Sequence, residues 1–262
     1  MGYHWDAEDY ERHSSPQQQW AQDFIRTLKL KGDEKTLDIG CGDGKVTSEL
    51  AALLLEGSVL GIDNSEAMID FAHQRFPPAF FPNMQFRWGE ATRLTYCHEF
   101  DLVTSFASLH WVHDHLAVLA GIKRALKPGG RAVLQFGGKG NAALISAAAN
   151  HVSAEKHWKG YFVGFIYPWL FYGVEEYKEL ISRVGLSEQR IELIPKDMVH
   201  DGKEALQGWV HSVFLPYTAR LPEALRDDFV EDVASAYVRR QPPDESGHIH
   251  VQMVRLEVEA TL

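Results

Sequence analysis

Cysteine is scarce. The 262-residue chain carries two, Cys41 and Cys97, which make neither a disulfide framework nor the spacing of a zinc knuckle, so a reducing, cytoplasmic setting is the compartment expected. Basic residues are outnumbered: 26 Lys+Arg stand against 36 Asp+Glu, a formal charge of −10, with no Lys/Arg-rich run to offset it. A surface of that sign repels phosphate backbones, so no nucleic-acid partner is expected. Long apolar runs are missing too. The longest uncharged stretch, residues 160–174, is broken by Gly164 and Pro168 and is too short to cross a bilayer, so no membrane insertion is expected. The polar, acidic start MGYHWDAEDYERH does not read as a secretory signal. No internal repeat or low-complexity segment is present.

What the chain does have is TLDIGCGDGKVT at residues 36–47. Residues suited to a buried strand run into Gly40, Gly42 and Gly44, and helix-forming sequence follows. Such a turn brings backbone close to a ligand and aims unpaired N–H groups at it. Three ligand classes use it. A P-loop needs a hydroxyl residue after Gly-Lys, and Val46 stands there. The dinucleotide fingerprint spaces its third glycine one position later. S-adenosylmethionine carries an ammonium rather than a pyrophosphate, and Asp38, just before the glycines, suits a cationic end. Asp63, closing the next strand SVLGID, stands where a carboxylate can accept from both hydroxyls of a ribose. Taken singly, Asp38 can also cap a turn and Asp63 the following helix. Cys41 has no cation beside it to activate a thiolate.

Around this turn the chain alternates. A helix opens at Ser15-Pro16, with Trp20, Phe24 and Leu28 along one face. Strands are expected at 36–39, 58–63, 84–88, 100–106 and 131–137, with helices between them; Ser65 and Asp114 are placed to cap two of these, and residues 127–130 (KPGG) form a turn. That order predicts a parallel, doubly wound sheet. Beyond Gly138 come an alanine-rich helix over 141–155, an aromatic segment from Trp158 to Tyr172, and a helix over 174–184. A strand (LSEQRIELI), helices over 203–214 and 222–239, and an alternating strand (HIHVQMVRLEVEAT) complete the chain.

LDIGCGDGK, GIDNSEAMI, Gly89-Glu90-Ala91, FDLVTSFASLHWVHD and LKPGGRAVLQ, in that order, resemble the class I S-adenosylmethionine-dependent methyltransferases. SSPQQQW and LHWV are similar to the small-molecule branch that holds the trans-aconitate, juvenile hormone acid and malonyl-carrier-protein methyltransferases. The resemblance implies an α/β, Rossmann-like doubly wound sheet, mostly parallel, with seven strands, the last antiparallel, and a helical cap inserted near the C-terminus. Residues 1–138 would form the cofactor-binding core. Residues 139–262 would hold cap segments, about 139–185 and 200–246, interleaved with two sheet-completing strands. S-adenosyl-L-methionine is the implied cofactor and S-adenosyl-L-homocysteine the product. Asp38, Gly40, Cys41, Gly42, Asp63, Asn64, Met68, Glu90, Ala91 and Ser105 would line its pocket, with Tyr10 closing over it.

The acceptor side is expected to take a small molecule. A carboxylate is already ionised near neutral pH and asks for orientation by neutral donors rather than for a base. Gln17 and Trp111 match positions thought to hold the substrate carboxylate in the juvenile hormone acid enzymes; otherwise Gln17 is a solvated helix residue and Trp111 core. His110 is a candidate base, which would favour an acceptor that must lose a proton. His110, His113 and His115 have only Asp114 beside them, and no metal is expected. Trp158, Phe165, Tyr167 and Trp169 are candidates to wall the acceptor pocket. The cap has Lys156, Lys159 and Arg183 but no arginine cluster, which argues against a small polycarboxylate. O-methylation of a carboxylate is the leading expectation. Carbon or nitrogen methylation of a lipid-like or aromatic acceptor, and a catalytically silent cofactor-binding subunit, are the alternatives. Oligomeric state is not legible.

Overall fold

A computed structural model describes residues 15–262, with side chains from residue 18 onward. Seven strands form one sheet in the order β3-β2-β1-β4-β5-β7-β6. They are β1 (Lys35–Ile39), β2 (Ser58–Asp63), β3 (Met84–Trp88), β4 (Phe100–Phe106), β5 (Leu126–Gly137), β6 (Ser187–His200) and β7 (Ile249–Thr261). β1 to β5 pair in parallel, and β7 runs antiparallel to both β5 and β6. β1 lies between β2 and β4, so the strand order reverses there. That is the switch point at which open α/β sheets leave a crevice beyond their carboxyl ends.

Both faces are covered. Helices α1 (Ser15–Thr27), α2 (Lys45–Leu53) and α3 (Glu66–Arg75) supply Phe24, Ile25, Leu50 and Ile69 to one apolar cluster with Val59, Leu102 and Val133 of the sheet. On the other face α4 (His115–Ala125) and α6 (Val174–Val184) supply Leu119, Ile122, Tyr177 and Ile181 against Leu37, Val103 and Leu134. Ser65 and Asp114 cap α3 and α4 by accepting from the N–H groups of Met68 and Ala117, which satisfies donors the first turn leaves open. α6 stops at Gly185, whose φ of 74° suits a left-handed cap.

A third cluster joins α5 (Ala143–Ser153), α7 (Gly202–Val213), the short α8 (Leu215–Thr218) and α9 (Arg226–Val238) to Trp20 and Met253. The aromatic segment crosses these helices without regular secondary structure of its own. It is tied down at several points: Trp158 Nε1 donates to Asp232 at 2.8 Å, and Arg220 donates to the carbonyls of Tyr161 and Val163 at 2.9 and 2.8 Å. Leu170 N–H donates to the His110 carbonyl at 2.9 Å, which fastens the segment to the end of β4.

Two expectations need correction. Residues 127–130 do not separate helix from strand; β5 already pairs at Leu126 with Phe100 and resumes at Arg131 opposite Leu102, so the four residues bulge out of a continuous strand. β6 extends past residue 194 to His200, passing through Pro195. β6 is the edge strand, where a missing N–H costs no ladder bond. Among the described residues no helix is long and apolar enough to cross a membrane.

Candidate active site

The glycine turn follows β1 at the switch point. Gly40, Gly42 and Gly44 have φ of 73°, 54° and 81°, values that disfavour any residue with a Cβ. Their surroundings differ. A Cβ on Gly40 would lie 1.9 Å from Ser108 Oγ, and one on Gly44 would lie 2.6 Å from the Phe86 ring, whereas a Cβ on Gly42 would meet nothing within 4 Å. Gly42 faces the open cavity. That cavity is lined by Asp38, Gly40, Cys41 and Gly42, and by Gln18, Asp43, Lys45, Val46, Phe106 and Ala107.

Asp38 is buried, accepting from Thr47 Oγ1 at 2.7 Å and Thr104 Oγ1 at 2.9 Å. Burial outweighs these bonds and pushes its carboxyl up to about 6. Asp63 accepts from Gly42 N–H at 3.0 Å and Ser65 N–H at 2.9 Å, so it braces the glycine turn and the start of α3 together. Burial raises its carboxyl above the ordinary range, with Glu90 adding to the effect. Gly89 N–H donates to the Asp63 carbonyl, which brings Glu90 and Ala91 to this same sheet edge. Asn64 is exposed, and its carbonyl accepts from Trp88 Nε1.

Two other expected residues turn away from the cavity. Met68 is buried under α3. Ser105 is wholly buried and donates to the Ile39 carbonyl at 2.7 Å, joining β4 to β1; its successors Phe106 and Ala107 line the cavity instead. The alternation of strand side chains decides this, since the residue pointing to the crevice is set by register. The Cys41 thiol is pushed up by burial and by Asp63 and Asp38, which leaves it unreactive. Tyr10 lies outside the described residues, and Gln17 falls in the first turn of α1, before the side chains that are described.

A second cavity adjoins the first at Ala107, enclosing about 580 Å³ of empty space partly open to solvent. His110 and Trp111 line it, and so does Trp169, whose ring lies 5.3 Å from that of Trp111. Of the other aromatics expected here, Trp158 packs on Phe229 and Phe165 on Tyr217, both within the cap core. Tyr167 donates to Ser146, a lining residue. Ala107 and Ala142, both cavity residues, hold φ of 53° and 50° without being glycine, a strain typical of functional sites.

A methyltransferase domain family matches residues 37–134, which span β1 through most of β5. The chain is 29% identical over 232 residues to trans-aconitate 2-methyltransferase of Deinococcus radiodurans, covering 84% of each chain. It is 28% identical over 229 residues to juvenile hormone acid O-methyltransferase of Drosophila melanogaster, covering 80% of this chain and 73% of that one. The solved structure of a putative methyltransferase from Bacillus halodurans superposes with a TM-score of 0.64 at 14% identity, over 92% of this chain and 97% of that one. The chain is a class I S-adenosylmethionine-dependent methyltransferase. Its glycine-turn cavity fits that cofactor on its own evidence: Gly42 leaves room beside the turn, and Asp38 offers a buried carboxylate to an ammonium.

In this methyltransferase the imidazole nearest the cavity junction is held neutral. Burial first, then the charge of Arg255 and the nearness of the His115 ring, pushes His110 down to about 3. Its Nδ1 accepts from Gly137 N–H at 3.4 Å, which leaves Nε2 to carry the ring hydrogen. His115 is structural: Nε2 meets the Leu109 carbonyl at 3.0 Å and Nδ1 the Tyr177 hydroxyl at 3.3 Å, deep in the sheet core. His113 is exposed. Among the described residues no group of three His, Cys, Asp or Glu is placed to hold a metal.

Sequence reasoning missed Asn141, Phe171 and Arg255 in the second cavity. A signal for Arg255 does exist. Ile249, Val251 and Met253 alternate along β7 as its inward face, and the next positions in that series are Arg255 and Glu257, both buried.

Proposed function

We infer that this methyltransferase O-methylates a carboxylate of a small-molecule acceptor held in the cavity beyond Ala107. The reading is carried by His110. An imidazole pushed down to about 3, with Nδ1 already accepting from Gly137, is a poor proton acceptor and a serviceable neutral donor. Amines and phenols need a proton removed; a carboxylate needs orientation alone. Bound S-adenosylmethionine supplies a methyl carbon to which an acceptor oxygen lone pair bonds while the carbon–sulfur pair returns to sulfur, giving S-adenosylhomocysteine.

The chain's own residues do the rest. Asp38, Gly40 and Gly42 would hold the cofactor's amino-acid end, and Asp63 with Asn64, Glu90 and Ala91 its nucleoside end. Trp111 and His110, with Gln17 from α1, would orient the acceptor carboxylate by neutral hydrogen bonds. Trp111, Trp169, Phe171 and Phe214 line the acceptor cavity and exclude water from its body.

The test is incubation with methyl-labelled donor and a panel of acids, phenols and amines. Acids are expected to give a labelled product that mild alkali releases as methanol. Label that survives alkali would point instead to nitrogen or carbon methylation, and donor binding with no turnover on any acceptor to a silent subunit. Replacing His110 with Gln, which keeps a neutral donor, is expected to retain more activity than replacing it with Leu; equal loss would remove His110 from the orienting set.

A further inference from the structure

Arg255 projects from β7 opposite Gly137 of β5. It is 3% exposed and lines the acceptor cavity beside Asn141 and Ser146. Its guanidinium lies over the Trp20 ring, 4.6 Å from the centroid. Much of the rest of that wall is apolar, with Trp169, Val213, Phe214 and Met253. Holding a guanidinium in such surroundings is costly, and the arrangement suits a site that binds anions. A guanidinium presents five N–H donors in a fork whose geometry matches a carboxylate.

The position of Arg255 bears on which anion. Ala107, where the cavities meet, directly follows β4, and β5 lies between β4 and β7. The β7 backbone at Arg255 is therefore two strand spacings from Ala107, about 10 Å, while its charge is near enough to act on His110. Charge argues the same way. A guanidinium on the reacting oxygen stabilises the full negative charge of the ground state more than the dwindling charge of the transition state, and so slows transfer. An arginine here is better used on a group that does not react.

We propose that Arg255 determines acceptor specificity by holding a second acidic group of the acceptor, separate from the carboxylate that receives the methyl. The substrate class is then a small carboxylic acid bearing another acidic group on an apolar linker. This rests on the carboxylate reading above and reverses the expectation drawn from the cap's lack of arginines, because the cation comes from the sheet.

The experiment compares succinic, adipic and suberic acids with their half-amides on the wild-type enzyme. At the best length the diacid is expected to exceed its half-amide in kcat/KM by about tenfold to a hundredfold, the range of a charge-assisted hydrogen-bonded pair. In Arg255→Gln that advantage should vanish through KM rather than kcat, with Arg255→Lys in between and donor affinity by calorimetry unchanged in both. Half-amides turned over as well as diacids by the wild type overturn the proposal, a result that does not depend on any variant folding. If acids fail while an amine or phenol is methylated, the carboxylate reading falls. The anchor is then judged with an amino or hydroxy acid against its amide, and equal rates overturn it.

Discussion

Asp38 is held under opposing demands. Buried at the end of β1, it is pushed up to about 6 by desolvation even though Thr47 and Thr104 donate to it. A cofactor ammonium needs it ionised, so binding must drive off the proton it carries below that value. Donor affinity is expected to be level above about pH 7 and to fall by up to about tenfold per pH unit below 6, because proton and ligand compete for the same carboxylate. Asp38→Asn should bind weakly at pH 8 and lose that slope; calorimetric titrations between pH 5 and 8 read both, and an unchanged slope in the variant would assign the proton elsewhere. Asp63 differs in kind. Since it accepts from Gly42 and Ser65 N–H groups, Asp63→Ala should lower folding stability and donor affinity together, each by roughly 1–3 kcal/mol for stranded donors. Stability unaffected beside weak binding would leave it a ligand contact without the bracing role. Asp38 and Asp63 were legible because each stands at a strand end beside the glycines. Arg255 was not, because it sits far downstream of the glycine turn in sequence, and only the pairing of β7 with β5 brings it to the crevice; strand register is a tertiary property.

At the scale of elements, the turn between β1 and α2 divides its work among its glycines. Gly40→Ala would drive a Cβ into Ser108, an overpacking expected to cost about 1–3 kcal/mol in addition to the left-handed backbone. Gly42→Ala meets no neighbour and should lose only about 1–2 kcal/mol for its positive φ. Its methyl, however, enters the space left for the cofactor, so affinity should fall more than stability. Urea denaturation beside calorimetric binding separates the two; if Gly42→Ala binds donor normally, the open space at Gly42 is not where the cofactor lies. The strands β1 and β4 were readable from composition, since they are buried on both faces and rich in β-branched, aromatic and other apolar residues. The bulge at residues 127–130 was not, because Lys-Pro-Gly-Gly reads as a helix stop whether or not strand pairing resumes beyond it. The aromatic segment carried no period at all. Its shape comes from Asp232 and Arg220, which bond to it from distant helices and turns.

At the scale of the whole molecule, three imidazoles among the described residues are kept neutral by burial: His110, pushed down to about 3, and His115 and His200, each to about 4. They serve different parts, since His110 faces the acceptor cavity, His115 the sheet core and His200 the ring of Trp209 in the cap. In the unfolded chain all three take up a proton near the ordinary histidine value, about 6.5, so between that pH and about 4 the unfolded state binds more protons and stability must fall as pH falls. Asp38 and Asp63 oppose this. Their raised carboxyls make the folded state the better proton acceptor, for Asp38 between about 4 and 6, so they add stability as pH falls. His250, bridged between Asp197 and Asp244 and raised by them, changes its contribution above the ordinary histidine range and leaves the window alone. The three imidazoles outweigh the two carboxylates: the urea midpoint is expected to drop between pH 6.5 and 5. Replacing His115 with Gln, which can still donate to the Leu109 carbonyl, should make the drop shallower. A midpoint that holds or rises on acidification would mean that the buried imidazoles do not govern acid stability. Because His110 lies in the acceptor cavity, the same titration should also move with ligand. An anionic acceptor beside that ring raises its pKa toward the ordinary value, so the acid loss should shrink when a bound acid is present and stay as it was when its amide replaces it.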